Sequence, residues 1–167
     1  MRFRFCPQCG AVLARGPVAG REREHCPGCG YVAFHNPAPV GLAVIEHQER
    51  LVLIRRTVAP LAGYWAPPSG YVELGESVPE AVVREAREEC GLEIALQRLL
   101  GVWSHPEVNA VIVAYRARSV GGALAAGDDA SEVALFAPGE LPRQELPREP
   151  TATERWFLPL IDEVLRA

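Results

Sequence analysis

The segment from residue 70 to residue 92, GYVELGESVPEAVVREAREECGL, constrains the fold most strongly. Ser77, followed three residues later by Glu80, predicts the start of a helix, and Gly91 predicts its end. A rotation of about 100° per residue would place three carboxylates within an arc of roughly 100° on this helix. They belong to Glu85, Glu88 and Glu89. Because like charges at this spacing repel one another, the segment predicts a helix with a hard divalent cation bound among the carboxylates.

A solvated, charge-rich helix surface is the ordinary alternative for such a run of Glu and Arg. Only Arg84 and Glu88 form an opposite-charge pair at four-residue spacing, whereas Glu85 and Glu89 repel each other at the same spacing. Salt bridges along the helix therefore do not explain the pattern. We favour a metal site over a solvated surface.

The fixed residues of this segment match the Nudix box, G-x5-E-x7-R-E-U-x-E-E-x-G-U, in which U is aliphatic. The matching residues are Gly70, Glu76, Arg84, Glu85, Glu88, Glu89 and Gly91, with Ala86 and Leu92 at the aliphatic positions. The chain therefore resembles a Nudix hydrolase. The resemblance implies an α/β fold, the Nudix α/β/α sandwich with a mixed sheet. It also implies an enzyme that uses Mg²⁺ or Mn²⁺ to hydrolyse a diphosphate bond and releases two phosphorylated products.

The same resemblance assigns roles to individual residues. It implies that Glu85, Glu88 and Glu89 hold the divalent metal together with the carbonyl group of Gly70. Arg84 would orient the glutamates through ion pairs, with support from Glu76.

Two carboxylates are candidates for the general base, because Nudix enzymes take this residue either from the box or from a later loop. Glu85 is the candidate in the box, and Glu132, in GDDASEVALF, is the loop candidate. An acidic loop residue that is simply solvated is the alternative for Glu132. Arg55 and Arg56 end an apolar segment and are candidates for phosphate contacts, with solvated charges at a strand end as the alternative.

Four cysteines near the start of the chain follow the pattern C-x2-C-x16-C-x2-C. They are Cys6, Cys9, Cys26 and Cys29. This spacing predicts a structural zinc site in which four thiolates fill a tetrahedral shell. A disulfide framework is less favoured, because no secretory leader precedes Cys6 and intracellular thiols stay reduced. We therefore predict a zinc ribbon over residues 1–36 and a Nudix domain over residues 37–167, with Cys90 as a free thiol.

The apolar segments predict the remaining elements. VGLAVIE and LVLIRR read as two buried strands joined by a turn at HQER. Further strands are expected at residues 99–103, 109–118 and 132–136, a flexible loop at 119–130 and a helix at 151–166.

The segment downstream of the box bears on the substrate. NADH pyrophosphatases carry an SQPWPFPxS array there, whereas this chain has WSHPEVNAVIVAYRAR. The resemblance therefore favours ADP-ribose or FAD over NADH, with a (d)NTP or a dinucleoside polyphosphate as the alternative. The candidates for stacking on the nucleobase are Tyr64, Trp65, Trp103 and Tyr115, although aromatic residues in strands more often fill the core.

Composition excludes several other functions. The chain has a net charge of −4, and all 17 of its basic residues are arginine, so no P-loop lysine or Schiff-base lysine exists. The acidic balance disfavours nucleic-acid binding, although a local patch could form from Arg2, Arg4, Arg15, Arg21 and Arg23. No membrane span is evident, so we expect a cytoplasmic protein with a small-molecule nucleotide substrate, and a homodimer is compatible with the sequence. A ribbon that binds nucleic acid or protein beside a scaffold Nudix domain is the alternative of another class.

Overall fold

The computed structural model describes residues 3–59, 61–105, 109–127, 129–137 and 139–146. Its contacts divide the chain into two compact units, Met1–Asn36 and Pro37–Ala167. The first unit contains an antiparallel hairpin of two strands, which are β1 (Ala14–Val18) and β2 (Arg21–His25).

Two similar turns in the first unit hold the cysteine pairs. Gly10 donates its backbone N–H to the carbonyl of Cys6, and Gly30 donates to the carbonyl of Cys26, both at 2.9 Å. The two glycines have φ angles of 74° and 77°, a backbone conformation that glycine adopts without steric cost. The Cys-Pro-x-Cys-Gly sequence therefore forms the same tight turn twice.

The second unit is built on a mixed seven-stranded sheet with one helix among its described residues. The elements are β3 (Ala38–His47), β4 (Arg50–Arg56), β5 (Trp65–Ala66), β6 (Ser69–Tyr71), α1 (Val78–Cys90), β7 (Leu92–His105), β8 (Ala110–Gly122) and β9 (Ala130–Phe136). Five strands follow the order β5-β4-β3-β8-β7, while β6 pairs with β3 and β9 pairs with β4. Among these described strands, β3 and β8 pair in parallel and the other pairs are antiparallel.

The two central strands carry apolar side chains on both faces of the sheet. Along β3, Leu42 and Val44 belong to one core cluster, while Ala43 and Ile45 belong to the other, as the two-residue period of a strand requires. Helix α1 packs on the second cluster. Gly41 permits this approach, because a Cβ atom there would lie 2.7 Å from a methyl group of Val82.

The predicted ends of α1 are confirmed. Ser77 and Glu80 form a capping box, in which Glu80 N–H donates to Ser77 Oγ and Ser77 N–H donates to the Glu80 carboxylate. At the other end Gly91 adopts a left-handed conformation with a φ of 74°, and its N–H donates to the carbonyl of Arg87. The local signals in the sequence thus set the length of the helix and with it the placement of its glutamates.

Two predictions for the sheet were wrong in extent. The strand predicted at 99–103 lies in the second half of a longer strand, Leu92–His105. The predicted loop at 119–130 begins only after Gly122, because β8 continues there and pairs Gly121 with Glu93. The helix predicted at 151–166 lies outside the described residues. In the part of the chain that is described, no helix has the length and apolar character needed to cross a membrane.

Candidate functional site

The three predicted carboxylates face one cavity beside α1. Glu85, Glu88 and Glu89 line an open cavity of about 450 Å³, and Asp129 contributes a fourth carboxylate from the turn before β9. The backbone of Asp129 is fixed to the end of β4, because its carbonyl accepts hydrogen bonds from the backbone N–H and the hydroxyl group of Thr57. A cavity lined by four carboxylates suits a hard divalent cation, which prefers oxygen ligands.

Strand β6 holds two of the glutamates from the other side. Ser69 N–H donates to the Glu89 carboxylate at 2.7 Å. At the next residue, a Cβ atom on Gly70 would overlap the Glu85 carboxylate. Glycine is therefore the residue that leaves room for a carboxylate between the helix and this strand.

Burial makes the ionised forms of two of these glutamates energetically unfavourable unless a cation lies nearby. Glu89 is 3% exposed, and desolvation raises its pKa to about 7, although the Ser69 N–H and Arg56 favour the ionised form. Desolvation also raises the pKa of Glu85, against the opposing effect of Arg84. The only cation near Glu89 that the described residues supply is Arg56, with Nη1 at 3.7 Å from its carboxylate. A divalent ion would offset this cost directly.

Arg84 organises the cluster from one edge. Its guanidinium donates to Glu85 at 2.7 Å, to Glu88 at 2.8 Å and to Glu76 at 2.7 Å, and it also donates to the carbonyl of Tyr71. Hydrogen bonding to Arg84 lowers the pKa of Glu76, which keeps that carboxylate ionised. The rigid fork of donors in arginine can hold several carboxylates in fixed positions at once.

Substituting Gly70 by alanine should disrupt the cluster. The new Cβ atom would displace the Glu85 carboxylate, so we expect Gly70→Ala to weaken divalent-metal binding by about tenfold or more while the fold persists. Isothermal titration with Mn²⁺ measures this change. Gly139→Ala is the matched control, because a Cβ atom there meets nothing within 4 Å. Equal Mn²⁺ affinity in both variants would show that the Gly70 contact does not shape the site.

The loop candidate for the general base lies beside a different partner. Glu132 on β9 is opposite Arg55 on β4, and its carboxylate lies 3.0 Å from Arg55 Nε. Asp129, which the sequence analysis did not single out, is the loop carboxylate that lines the cavity with the glutamates. Its place in GDDASEVALF, directly before a strand, was the only signal that could have identified it.

The four predicted substrate contacts lie near the end of β4. Arg56 faces Glu89, whereas Arg55 is engaged by Glu132, by Glu145 at 2.7 Å and by the ring of Trp65. Trp65 is 5% exposed and packs edge-on against Phe136, so it fills the core and offers no free face to a nucleobase. Tyr64 is 38% exposed and keeps part of its ring accessible.

The other two aromatic candidates also pack against the core. Trp103 lies against one core cluster and Tyr115 lies against the other. Both positions agree with the alternative that aromatic residues in strands fill the interior.

The four cysteines of the first unit form a separate cluster. Their Sγ atoms all lie within 4.8 Å of one another, with 3.6 Å between Cys6 and Cys29 and 3.5 Å between Cys9 and Cys26. Thiolates around a tetrahedral zinc ion at a Zn–S distance of about 2.3 Å lie roughly 3.8 Å apart, so the observed arrangement fits that ion. All five cysteines are free, and Cys90 is buried within α1.

Comparison with known proteins identifies the family to which the chain belongs. The NUDIX domain family matches residues 35–157. An ADP-ribose pyrophosphatase of Methanocaldococcus jannaschii is 39% identical over 117 residues, which cover 68% of this chain and 69% of the relative. The NAD-capped RNA hydrolase NudC of Pseudomonas aeruginosa strain LESB58 is 32% identical over 134 residues, which cover 80% of this chain. The chain spans about half the length of that relative, 47%.

A solved structure of similar fold supports the same assignment. The crystal structure of a NUDIX hydrolase from Nitrosomonas europaea superposes with a TM-score of 0.82 at 28% sequence identity, and the match covers 88% of this chain and 85% of that one. The predicted Nudix fold with a mixed sheet is thereby confirmed. The chain belongs to the Nudix hydrolase family.

Proposed function

We propose that this protein is a divalent-metal-dependent diphosphatase that hydrolyses the diphosphate bond of a nucleoside diphosphate derivative, with ADP-ribose or FAD as the preferred substrate. The convergence of Glu85, Glu88, Glu89 and Asp129 on one cavity carries this proposal. The three glutamates would hold Mg²⁺ or Mn²⁺, as the Nudix box implies. When bound, the metal would neutralise the bridged phosphates and lower the pKa of a water molecule.

The residues of the chain supply the remaining parts of the chemistry. Arg56 lies beside Glu89 and is the cation placed to contact a phosphate oxygen at the cavity. A carboxylate within hydrogen-bonding reach of the attacking water would accept its proton, and Glu85 and Asp129 both line the cavity. We propose Arg84 as a positioning residue, because its contacts are to carboxylates and to a backbone carbonyl.

A pair of substitutions separates the two loop carboxylates. We expect Asp129→Asn to lower kcat by about 100-fold or more, because a general base contributes roughly 10²- to 10⁴-fold. Glu132→Gln removes one loop carboxylate in the same way and should leave kcat within about threefold, because Glu132 pairs with Arg55. Full activity in Asp129→Asn would favour Glu85 as the base, and a large loss in Glu132→Gln would favour the loop carboxylate predicted from the sequence.

The preference for ADP-ribose is supported by the Methanocaldococcus jannaschii relative, whose name states that substrate. NADH is less favoured because this chain lacks the SQPWPFPxS array. The second candidate class is a (d)NTP or a dinucleoside polyphosphate, since the same cluster could bind any bridged diphosphate.

We also propose that the four-cysteine cluster holds structural Zn²⁺, because four thiolates leave no open position for water or substrate.

A substrate panel tests the proposed function. The full chain, with zinc present, is assayed with Mg²⁺ against ADP-ribose, FAD, NADH, diadenosine polyphosphates and dNTPs, and products are separated by chromatography. We expect the highest kcat/KM for ADP-ribose or FAD, with AMP as one product in either case. A preference for dNTPs or for diadenosine polyphosphates would replace the proposed substrate and keep the reaction class. If no compound is hydrolysed by the folded protein, the enzyme proposal itself fails for this set of substrates.

A further inference from the structure

The first unit exposes three large aromatic side chains. Phe3 is 46% exposed, Phe5 is 52% exposed and Phe34 is 61% exposed. They lie at the two ends of a 36-residue segment whose fold centres on the cysteine cluster and the β1–β2 hairpin. Single exposed apolar residues are ordinary, whereas a connected group of them indicates an interaction surface. Phe3 and Phe34 are connected, because Phe3 stacks on His35, the residue that follows Phe34.

A guanidinium or an imidazole group contacts each of these rings. The Arg4 guanidinium lies 5.4 Å from the centroid of Phe5, and the Arg23 guanidinium lies 4.6 Å from the centroid of Phe34. The third ring, Phe3, stacks on an imidazole at 5.7 Å with an interplanar angle of 26°. We call this set the ribbon patch, and its members are Phe3, Arg4, Phe5, Arg23, Phe34 and His35.

The charge of the first unit differs from that of the whole chain. Residues 1–36 contain five arginines and two glutamates, whereas the chain as a whole has a net charge of −4. Both glutamates contact a basic side chain. Glu22 lies 3.8 Å from Arg15, and Glu24 lies 2.6 Å from Nε2 of His35. Neither Arg4 nor Arg23 forms an ion pair with any residue that the structure describes. Within the described part of the chain, no carboxylate therefore compensates the charges of these two arginines.

We propose that the ribbon patch binds single-stranded nucleic acid. The bases of a nucleic acid have flat faces that can pack against the exposed phenylalanines. Its backbone carries one negative charge per nucleotide, which the neighbouring arginines can contact. A second copy of this chain would bring like charges together if the two patches met. An acidic peptide would satisfy the arginines but would bring no flat rings to pack against the exposed phenylalanines. The net charge of −4 of the whole chain disfavours nucleic-acid binding, but residues 1–36 have an excess of arginine over glutamate.

Fluorescence anisotropy with a labelled single-stranded oligouridine tests the proposal on the full, zinc-loaded chain. We expect Phe34→Ala to weaken binding by about tenfold, as loss of one stacked base does. Arg23→Gln should lower the slope of log K against log salt by roughly 0.7 if it contacts one phosphate. Two controls lie in the second unit. Leu99→Ala removes a side chain that is 50% exposed there, and Arg50→Gln removes an exposed arginine, so both should leave binding unchanged.

Three results would overturn the proposal. The first is a lack of oligouridine binding at low salt in the wild-type protein. The second is competition by heparin, a polyanion without bases, together with equal affinities of wild type and Phe34→Ala, which would reduce the patch to a nonspecific anion site. The third is self-association in sedimentation experiments that the same patch variants abolish while oligouridine binding persists. Zinc content and amide spectra of each variant establish that the first unit remains folded in these comparisons.

Discussion

Glu88→Gln is expected to abolish most of the hydrolytic activity while the protein stays folded. The side chain keeps its size but loses a charge from the group of carboxylates that lines the cavity. A metal ion contributes several kcal/mol to stabilising the transition state, and each 1.36 kcal/mol corresponds to a tenfold change in rate. We therefore expect kcat to fall by at least about 100-fold, measured with saturating Mg²⁺ and the preferred substrate.

The thermal stability of the same variant distinguishes a functional loss from a structural one. Glu88 contacts Arg84, but its removal also relieves repulsion among the glutamates, so Tm should change little. Glu49→Gln is the matched control, because Glu49 is an exposed carboxylate in the β3–β4 turn and should leave both kcat and Tm unchanged. Retention of full activity in Glu88→Gln would remove this residue from the metal site.

Cys26→Ser is expected to unfold the first unit and leave the second one folded. The first unit has a small core, and binding of structural zinc to such segments contributes roughly 10–16 kcal/mol in zinc-finger peptides. Without one thiolate, most of that free energy is lost, since the free energy of metal binding is also the free energy of folding. Elemental analysis should show loss of bound zinc. A two-dimensional amide spectrum should show collapsed dispersion for residues 3–36 only.

A second cysteine variant controls for general effects of losing a thiol. Cys90 is buried in α1, where its thiol donates to the carbonyl of Ala86, and it lies outside the four-cysteine cluster. Cys90→Ala should therefore retain one zinc ion per chain. Dispersed amide signals for residues 3–36 in Cys26→Ser would mean that the hairpin folds without a complete metal site.

The parts of the fold that depend on local signals could be predicted from the sequence. The capping pair Ser77 and Glu80 and the terminal Gly91 define a helix by themselves, because their effects act within one turn. The positions of the glutamates on that helix follow from its period. Likewise the two continuous apolar segments after the first unit formed β3 and β4, joined by a turn in which Gln48 and Glu49 have positive φ.

The parts that failed depend on pairing between distant segments. Register shifts near Leu96 and Leu99 interrupt the two-residue alternation of β7, so that its sequence suggests a shorter strand. Gly121 indicated a loop, but a Cβ atom there would lie 2.7 Å from the Glu93 carboxylate, so the glycine permits close pairing of β8 with β7. Neither effect is visible in the segment that carries it.

The positions of the two loop carboxylates depend on distant pairing in the same way. Glu132 faces Arg55 because β9 pairs with β4 in a particular register, and the turn before β9 leaves Asp129 at the cavity. One residue of difference in that register would exchange the faces of every side chain on the strand. Trp65 similarly became a core residue through contact with Phe136, which is distant in sequence.

Metal dependence of hydrolysis is the first property to measure, because the proposed role of the carboxylate cluster depends on it. The protein is dialysed against a chelator mild enough to leave zinc in the cysteine cluster, zinc content is verified, and hydrolysis of ADP-ribose is followed by release of AMP as Mg²⁺ is added back. We expect no hydrolysis without added metal and a saturable recovery that Gly70→Ala shifts to higher Mg²⁺ concentration. A rate that is the same with and without Mg²⁺ in metal-stripped protein would contradict a metal-dependent role for the carboxylate cluster.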